Sequence, residues 1–354
     1  MQAGFAATRR NWLLVGRQAG KGLLAAVLSA VALAAVLGAS ESSLAGEHAK
    51  GRPDAAASGS VRRAYVTNQG SQDLSVVDLD TMRVIATIAI GGKPAGVAVS
   101  ADRASVFVTA PESKELVAVD TASHVVRARR AIGLGPLGIA VNPVSGAVLV
   151  ADWYAHVIFV VDPVTLETRA EIAVGQSPSG VAVTPDGRFI ISADRDSDQV
   201  SIIDAAAGKR IATVKVGTRP FGVTIDAEGR RAYTANVGSD DVSVVDIASA
   251  TRIATYAVGR RPYAVALTPV HAFVSDQYAG TVSVIDLERG VRVKTIAVGD
   301  HPEGIAVANG GRDVLVACWF ENTLERIDAA TLAVTGKVEV GDGPRAFGAF
   351  IVER

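Results

Sequence analysis

Arg219, Arg261 and Arg345 each stand next to a proline, and aromatic residues interleave with them: Phe221, Tyr263 and Trp319. Arginine offers a planar fork of donors that matches carboxylate or phosphate, and aromatic rings offer flat apolar walls. One charge-assisted hydrogen bond of this kind contributes about 1.5–3 kcal/mol. Trp153, Tyr154, His301 and Glu303 occupy comparable irregular stretches, so the ten residues form a candidate site for an anionic group. A second chemistry is cation binding by oxygen donors, for which Asp194, Asn236 and Glu303 are the candidates and Ca²⁺ the ion. Asp152 and Asp276 occupy positions equivalent to Asp194 and Asn236, and the competing reading for all four is hydrogen bonding to a neighbouring turn.

Other chemistries have little support. The chain contains no HExxH, CxxCH or GxSxG motif. No catalytic residue is assigned and no cofactor is expected, Ca²⁺ being the one candidate. The single cysteine, Cys318, forbids an intrachain disulfide and reads as a small buried residue. His156 and His301 lie far apart in the chain and are not expected to chelate jointly.

These residues sit in a repeat. Asp78, Asp120, Asp162, Asp204, Asp246, Asp286 and Asp328 recur with steps of 42, 42, 42, 42, 40 and 42. Pro94, Pro136, Pro178, Pro220, Pro262, Pro302 and Pro344 keep the same steps. A fixed period near 40 marks an array of identical supersecondary units. In one unit, Gly180-Val-Ala-Val-Thr, Phe189 to Asp194, Val200 to Asp204 and Ile211 to Val216 are four short β-rich runs. Pro185-Asp-Gly is a tight reversal between the first two. Four antiparallel strands make a blade with two apolar faces, and radial stacking buries both. The fold class expected is therefore all-β: a seven-bladed β-propeller of four-stranded antiparallel blades. The C-terminal run Phe347 to Val352 is expected to join the N-terminal blade as its missing first strand and close the ring.

In such a ring the second-to-third and fourth-to-first connections share one face, here called the top. They hold most of the irregular residues, Lys93, Arg195, Arg260, Gln277 and Phe320 among them, beside the ten above. The repeated Asp residues that end third strands are expected to cap the following turn.

The N-terminus reads as a targeting segment. Arg9, Arg10, Arg17 and Lys21 precede an apolar run from Leu23 to Leu37, with Ser43-Leu44-Ala45 as a cleavage site. The expected organisation is 1–45 signal peptide, 46–60 flexible tether and 61–354 propeller. The paired arginines resemble a twin-arginine export signal. The run is short for a membrane span, so no stable membrane insertion is expected after its removal; a retained anchor is the alternative. Without 1–45 the chain carries 31 Lys and Arg against 35 Asp and Glu, a balance that does not favour nucleic acid as a partner.

Tyr65-Val66-Thr67-Asn68, the Val-Ser-Val-Val-Asp run ending at Asp246 and Gly-Val-Ala-Val-Thr-Pro-Asp-Gly at 180–187 resemble the YVTN-repeat β-propeller family. A signal segment followed by one propeller is similar to YncE-like exported proteins. The resemblance implies a periplasmic or extracellular protein but no particular reaction. The function expected is a monomeric binding or scaffold module, taking an unknown protein partner or a small anionic ligand on its top face. The alternative is a metal-dependent propeller hydrolase of the lactonase type, which implies a metal over the central channel held by Asp194, Asn236 and Glu303.

Overall fold

The computed structural model describes residues 61–354; the signal and tether readings concern residues outside that range. Seven sheets follow one another along the chain, antiparallel throughout their four-stranded blades. The fourth blade is representative, with strands Pro178–Val183, Phe189–Asp194, Gln199–Asp204 and Lys209–Lys215 paired in order. Its two middle strands are buried on both faces, which is why their sequences run apolar rather than alternating. The outer strand is exposed except at half-buried Ala212 and buried Val214.

Small residues on the innermost strands are a steric requirement. A Cβ on Gly138 would stand 2.0 Å from the Ser179 carbonyl oxygen. One on Gly180 would stand 2.5 Å from that of Phe221, and one on Gly222 2.6 Å from that of Tyr263. Each blade's inner strand thus lies against the backbone of the next. The repeated aspartates behave as caps. Asp78, Asp120, Asp162, Asp204, Asp246, Asp286 and Asp328 each accept the backbone N–H three residues on, at 2.7–2.8 Å.

Closure uses the C-terminal run in two pieces. Ile351–Glu353 pairs antiparallel with Arg62–Asn68 and completes the first blade as a four-stranded sheet. Phe347–Ala349 instead pairs in parallel with Gly96–Val99, the inner strand of the second blade. The single continuous strand expected over 347–352 is therefore broken at Phe350, whose side chain is fully buried. Gly348 makes the switch feasible. It takes a φ of +127°, and a Cβ there would stand 2.4 Å from the Val97 carbonyl oxygen.

The two kinds of top-face connection are joined by backbone hydrogen bonds. Trp153 N–H donates to Gly135 O, Arg195 to Ser177, Val237 to Arg219, Gln277 to Arg261 and Trp319 to His301. A residue on either connection is therefore held in register with the other. Among the described residues, no helix is long and apolar enough to cross a membrane.

Candidate functional site

Two cavities of about 500 Å³ each lie along the ring. The lower one is walled by inner strands, with Gly138, Ala140, Gly180, Ala182 and Gly348 among its lining, and is largely apolar. The upper one is lined by Gln69, Lys93, Pro111, Glu112, Gly135, Leu137, Trp153, Tyr154, Arg195, Phe221, Arg261 and Arg345. Phe221, Tyr263 and Phe347 pack against one another between them, with ring centroids 4.5, 5.1 and 5.4 Å apart. Leu137 and Ala95 complete this plug.

The plug corrects one expectation. Phe221 and Tyr263 do not stand as exposed walls; they are 8% and 3% exposed and form the floor. Each follows a turn proline on an inner strand, so its side chain turns toward the axis, where the blades converge.

Arg345 lines the upper mouth. Its Nε donates to the Tyr263 hydroxyl at 2.7 Å and lies 3.1 Å from Glu303 Oε2. Its guanidinium carbon is 5.6 Å from the Tyr263 ring centroid and 5.9 Å from that of Trp319. Among the described residues no protein acceptor engages its two Nη atoms. Glu303 Oε1 accepts from Gln277 Nε2 at 2.5 Å, and Gln277 Oε1 accepts from Arg261 Nε at 2.7 Å. One chain of contacts therefore links Arg261, Gln277, Glu303, Arg345 and Tyr263 across three blades. Burial pushes the Glu303 carboxyl above its usual range, and the Arg345 charge opposes that shift. Burial likewise pushes the Tyr263 phenol up. For Arg345, burial works against the charge, but the Tyr263 and Glu303 oxygens outweigh it and hold the guanidinium ionised.

The walls are aromatic and cationic. Asp152, fully buried, accepts four backbone N–H groups at 2.8–3.0 Å: those of Leu134, Gly135, Tyr154 and Ala155. It thereby fixes both loops that carry the Trp153–Tyr154 wall. Gly135 lets the Tyr154 ring lie against its backbone; a Cβ there would meet Tyr154 Cδ2 at 2.5 Å. The Arg195 guanidinium stacks on Trp153 at 5.1 Å from the ring centroid.

Other expected site residues lie apart. Arg219 is exposed on the rim and does not line the mouth. His301 stacks between Tyr278 and Phe320, with centroids 5.2 and 4.4 Å away, and its Nδ1 is 2.8 Å from Asp300 Oδ1. Trp319 is the nearest of the outlying group, since its ring faces Arg345. Gln69, Glu112 and Leu137 line the mouth without having been marked by the sequence. Their positions in the same two kinds of connection were the available signal.

The oxygen donors do not fit a shared cation. Asp194 accepts from Ser192 Oγ, Ser201 Oγ and Gln199 Nε2. Asn236 donates to Asp241 Oδ1 and Ser243 Oγ. Glu303 is held by Gln277 and faces a guanidinium. Among the described residues, no group of three or more His, Cys, Asp or Glu gathers as a metal site. Asp194, Asn236 and Glu303 share no hydrogen bond: each belongs to a separate network. The first two share one device, in which the residue ending the second strand bonds to side chains five and seven positions on. His156 is also accounted for, its Nδ1 accepting from Ser177 N–H at 3.0 Å.

The blades and their closure define a seven-bladed β-propeller. Residues 40–145 match the family model of the YNCE-like beta-propeller. Residues 140–255 match the model of the lactonase 7-bladed beta-propeller. No curated protein gives a significant match. Similar solved structures include a functionally unknown protein from Desulfotomaculum acetoxidans, 18% identical, with a TM-score of 0.71 over 82% of this chain and 98% of that one. Hydrazine synthase of Kuenenia stuttgartiensis is 20% identical, with a TM-score of 0.66 over 72% of this chain and 88% of that one. Dihydro-heme d1 dehydrogenase NirN, in complex with DHE, is 15% identical, with a TM-score of 0.61 over 82% and 74%. At these identities the likeness is one of fold.

Proposed function

We propose that this propeller is a binding module that captures an anionic group in the upper mouth. The supporting observation is Arg345, whose Nη atoms meet no acceptor among the described residues, in a mouth that also carries Lys93, Arg195 and Arg261. The rigid blades fix these groups before a ligand arrives, which lowers the ordering cost of binding. Residues 1–45 direct export to the periplasm or exterior, and the module acts there as a monomer. Isothermal titration of the full chain with inorganic phosphate and with simple carboxylates tests the binding reading. Replacing Arg261 and Arg345 together by glutamine should abolish the heat; unchanged binding would refute the assignment.

The family-model match over 140–255 raises a lactonase-type hydrolase as the rival. It predicts a cation among oxygen donors, and the candidate donors are engaged separately while a guanidinium stands beside Glu303. Metal analysis of purified protein, with thermal shift on adding Ca²⁺ and after chelation, separates the two readings. A stoichiometric ion and a clear shift would favour the hydrolase.

A further inference from the structure

We infer that the upper mouth takes a planar, apolar monocarboxylate in preference to phosphate, an inference that rests on the anion-binding reading above. The first argument is a charge count. Of the four cations lining the mouth, three already have a carboxylate partner. Lys93 Nζ lies 3.5 Å from Glu112 Oε1, Arg195 Nη1 2.5 Å from Asp196 Oδ1 and Arg345 Nε 3.1 Å from Glu303 Oε2. Arg261 alone has none among the described residues; its Nε is spent on the neutral Gln277 amide, and its guanidinium stacks on Tyr278 at 4.7 Å. The mouth therefore carries about one uncompensated positive charge. A carboxylate balances it. A phosphate, with a charge nearer −2 at neutral pH, leaves excess negative charge over the buried Glu303 carboxyl.

The second argument is shape. Arg345 is flanked by the Tyr263 and Trp319 rings, so the free part of its guanidinium is the Nη edge. That edge matches the two oxygens of a carboxylate. Beside these charged groups the mouth presents apolar, flat surface: Trp153, Tyr154, Leu137, Pro111 and Phe221. Tyr154 is 66% exposed, and its ring lies against the Gly135 backbone. A volume near 500 Å³ lies in the range of small-molecule sites.

The test uses three probes on the full chain: 2-naphthoate, the neutral 2-naphthamide and inorganic phosphate. Affinities are read by calorimetry and by quenching of tryptophan fluorescence. Naphthoate is expected to bind at least about tenfold more tightly than either other probe. Arg345→Lys and Tyr154→Ala are each expected to weaken naphthoate by about tenfold or more, with circular dichroism confirming the fold. The wild-type probe comparison decides the matter even if a variant does not fold. Naphthamide binding as well as naphthoate, or phosphate binding as well or better, would overturn the inference. Phosphate binding without naphthoate would overturn it while leaving the anion-binding reading intact. Silence toward both anions would remove both.

Discussion

Arg345 and Glu303 form a buried ion pair between the turn that closes the ring and the inner strand of the seventh blade, Nε to Oε2 at 3.1 Å. The side chains are 18% and 6% exposed, so neither charge is well served by water. Removing one partner strands the other. Arg345→Met is expected to destabilise the propeller by about 3–5 kcal/mol, the scale for breaking a buried pair. Arg345→Met with Glu303→Gln should recover much of that loss. Urea denaturation of the two singles and the double gives the coupling; strict additivity would mean the pair does not interact.

Ring closure depends on the C-terminal run. Deleting residues 344–354 removes the innermost, first strand of the first blade and the strand laid beside Gly96–Val99. The edges of Arg62–Asn68 and Gly96–Val99 would then be open to other chains. The truncated protein is expected to aggregate or unfold in size-exclusion chromatography; a soluble monomer would contradict the closure argument.

Asp194 is fully buried, and burial raises its carboxyl above the usual value, while hydrogen bonds from Ser201, Ser192 and Gln199 oppose the shift. A carboxyl whose folded pKa is raised contributes stability below its unfolded pKa, about 4, and loses it as pH climbs through the folded value. Asp194→Asn removes that pH-dependent loss, and Asn236 shows the amide serving the same position with Ser243 at 3.0 Å. The variant should gain on the parent as pH rises from about 4 to 8. Urea midpoints measured across that range check it; parallel curves would rule it out.

Asp204 holds its turn through one hydrogen bond, from Ala207 N–H at 2.8 Å. Asp204→Ala should cost about 0.5–2 kcal/mol, the scale of a lost cap. Ligand affinity in the upper mouth should not change, because this turn does not line it. Thermal denaturation and calorimetry read the two effects separately.

The fold was legible because its determinants are local and repeated. Each Asp caps the turn beside it, and each inner-strand glycine answers the same close approach 42 residues on. The top-face grouping of Trp153, Tyr154, Arg261 and Arg345 was legible for the same reason. What resisted reading was non-local. Phe221 and Tyr263 look like rim aromatics until the blades converge and Phe347 packs against both. Glu303 looks like a free oxygen donor until Arg345, from the closing turn, is seen beside it. Asp194 and Asn236 look like one cation shell because they are equivalent by register, yet equivalence in a ring places residues around it rather than together.

The packed rings of Phe221, Tyr263 and Phe347 turn the axis from a conduit into two blind wells. A guest in the upper well must leave by the door through which it came. Capture and release then share one passage, and changes to the Trp153–Tyr154 doorway should slow or hasten both together.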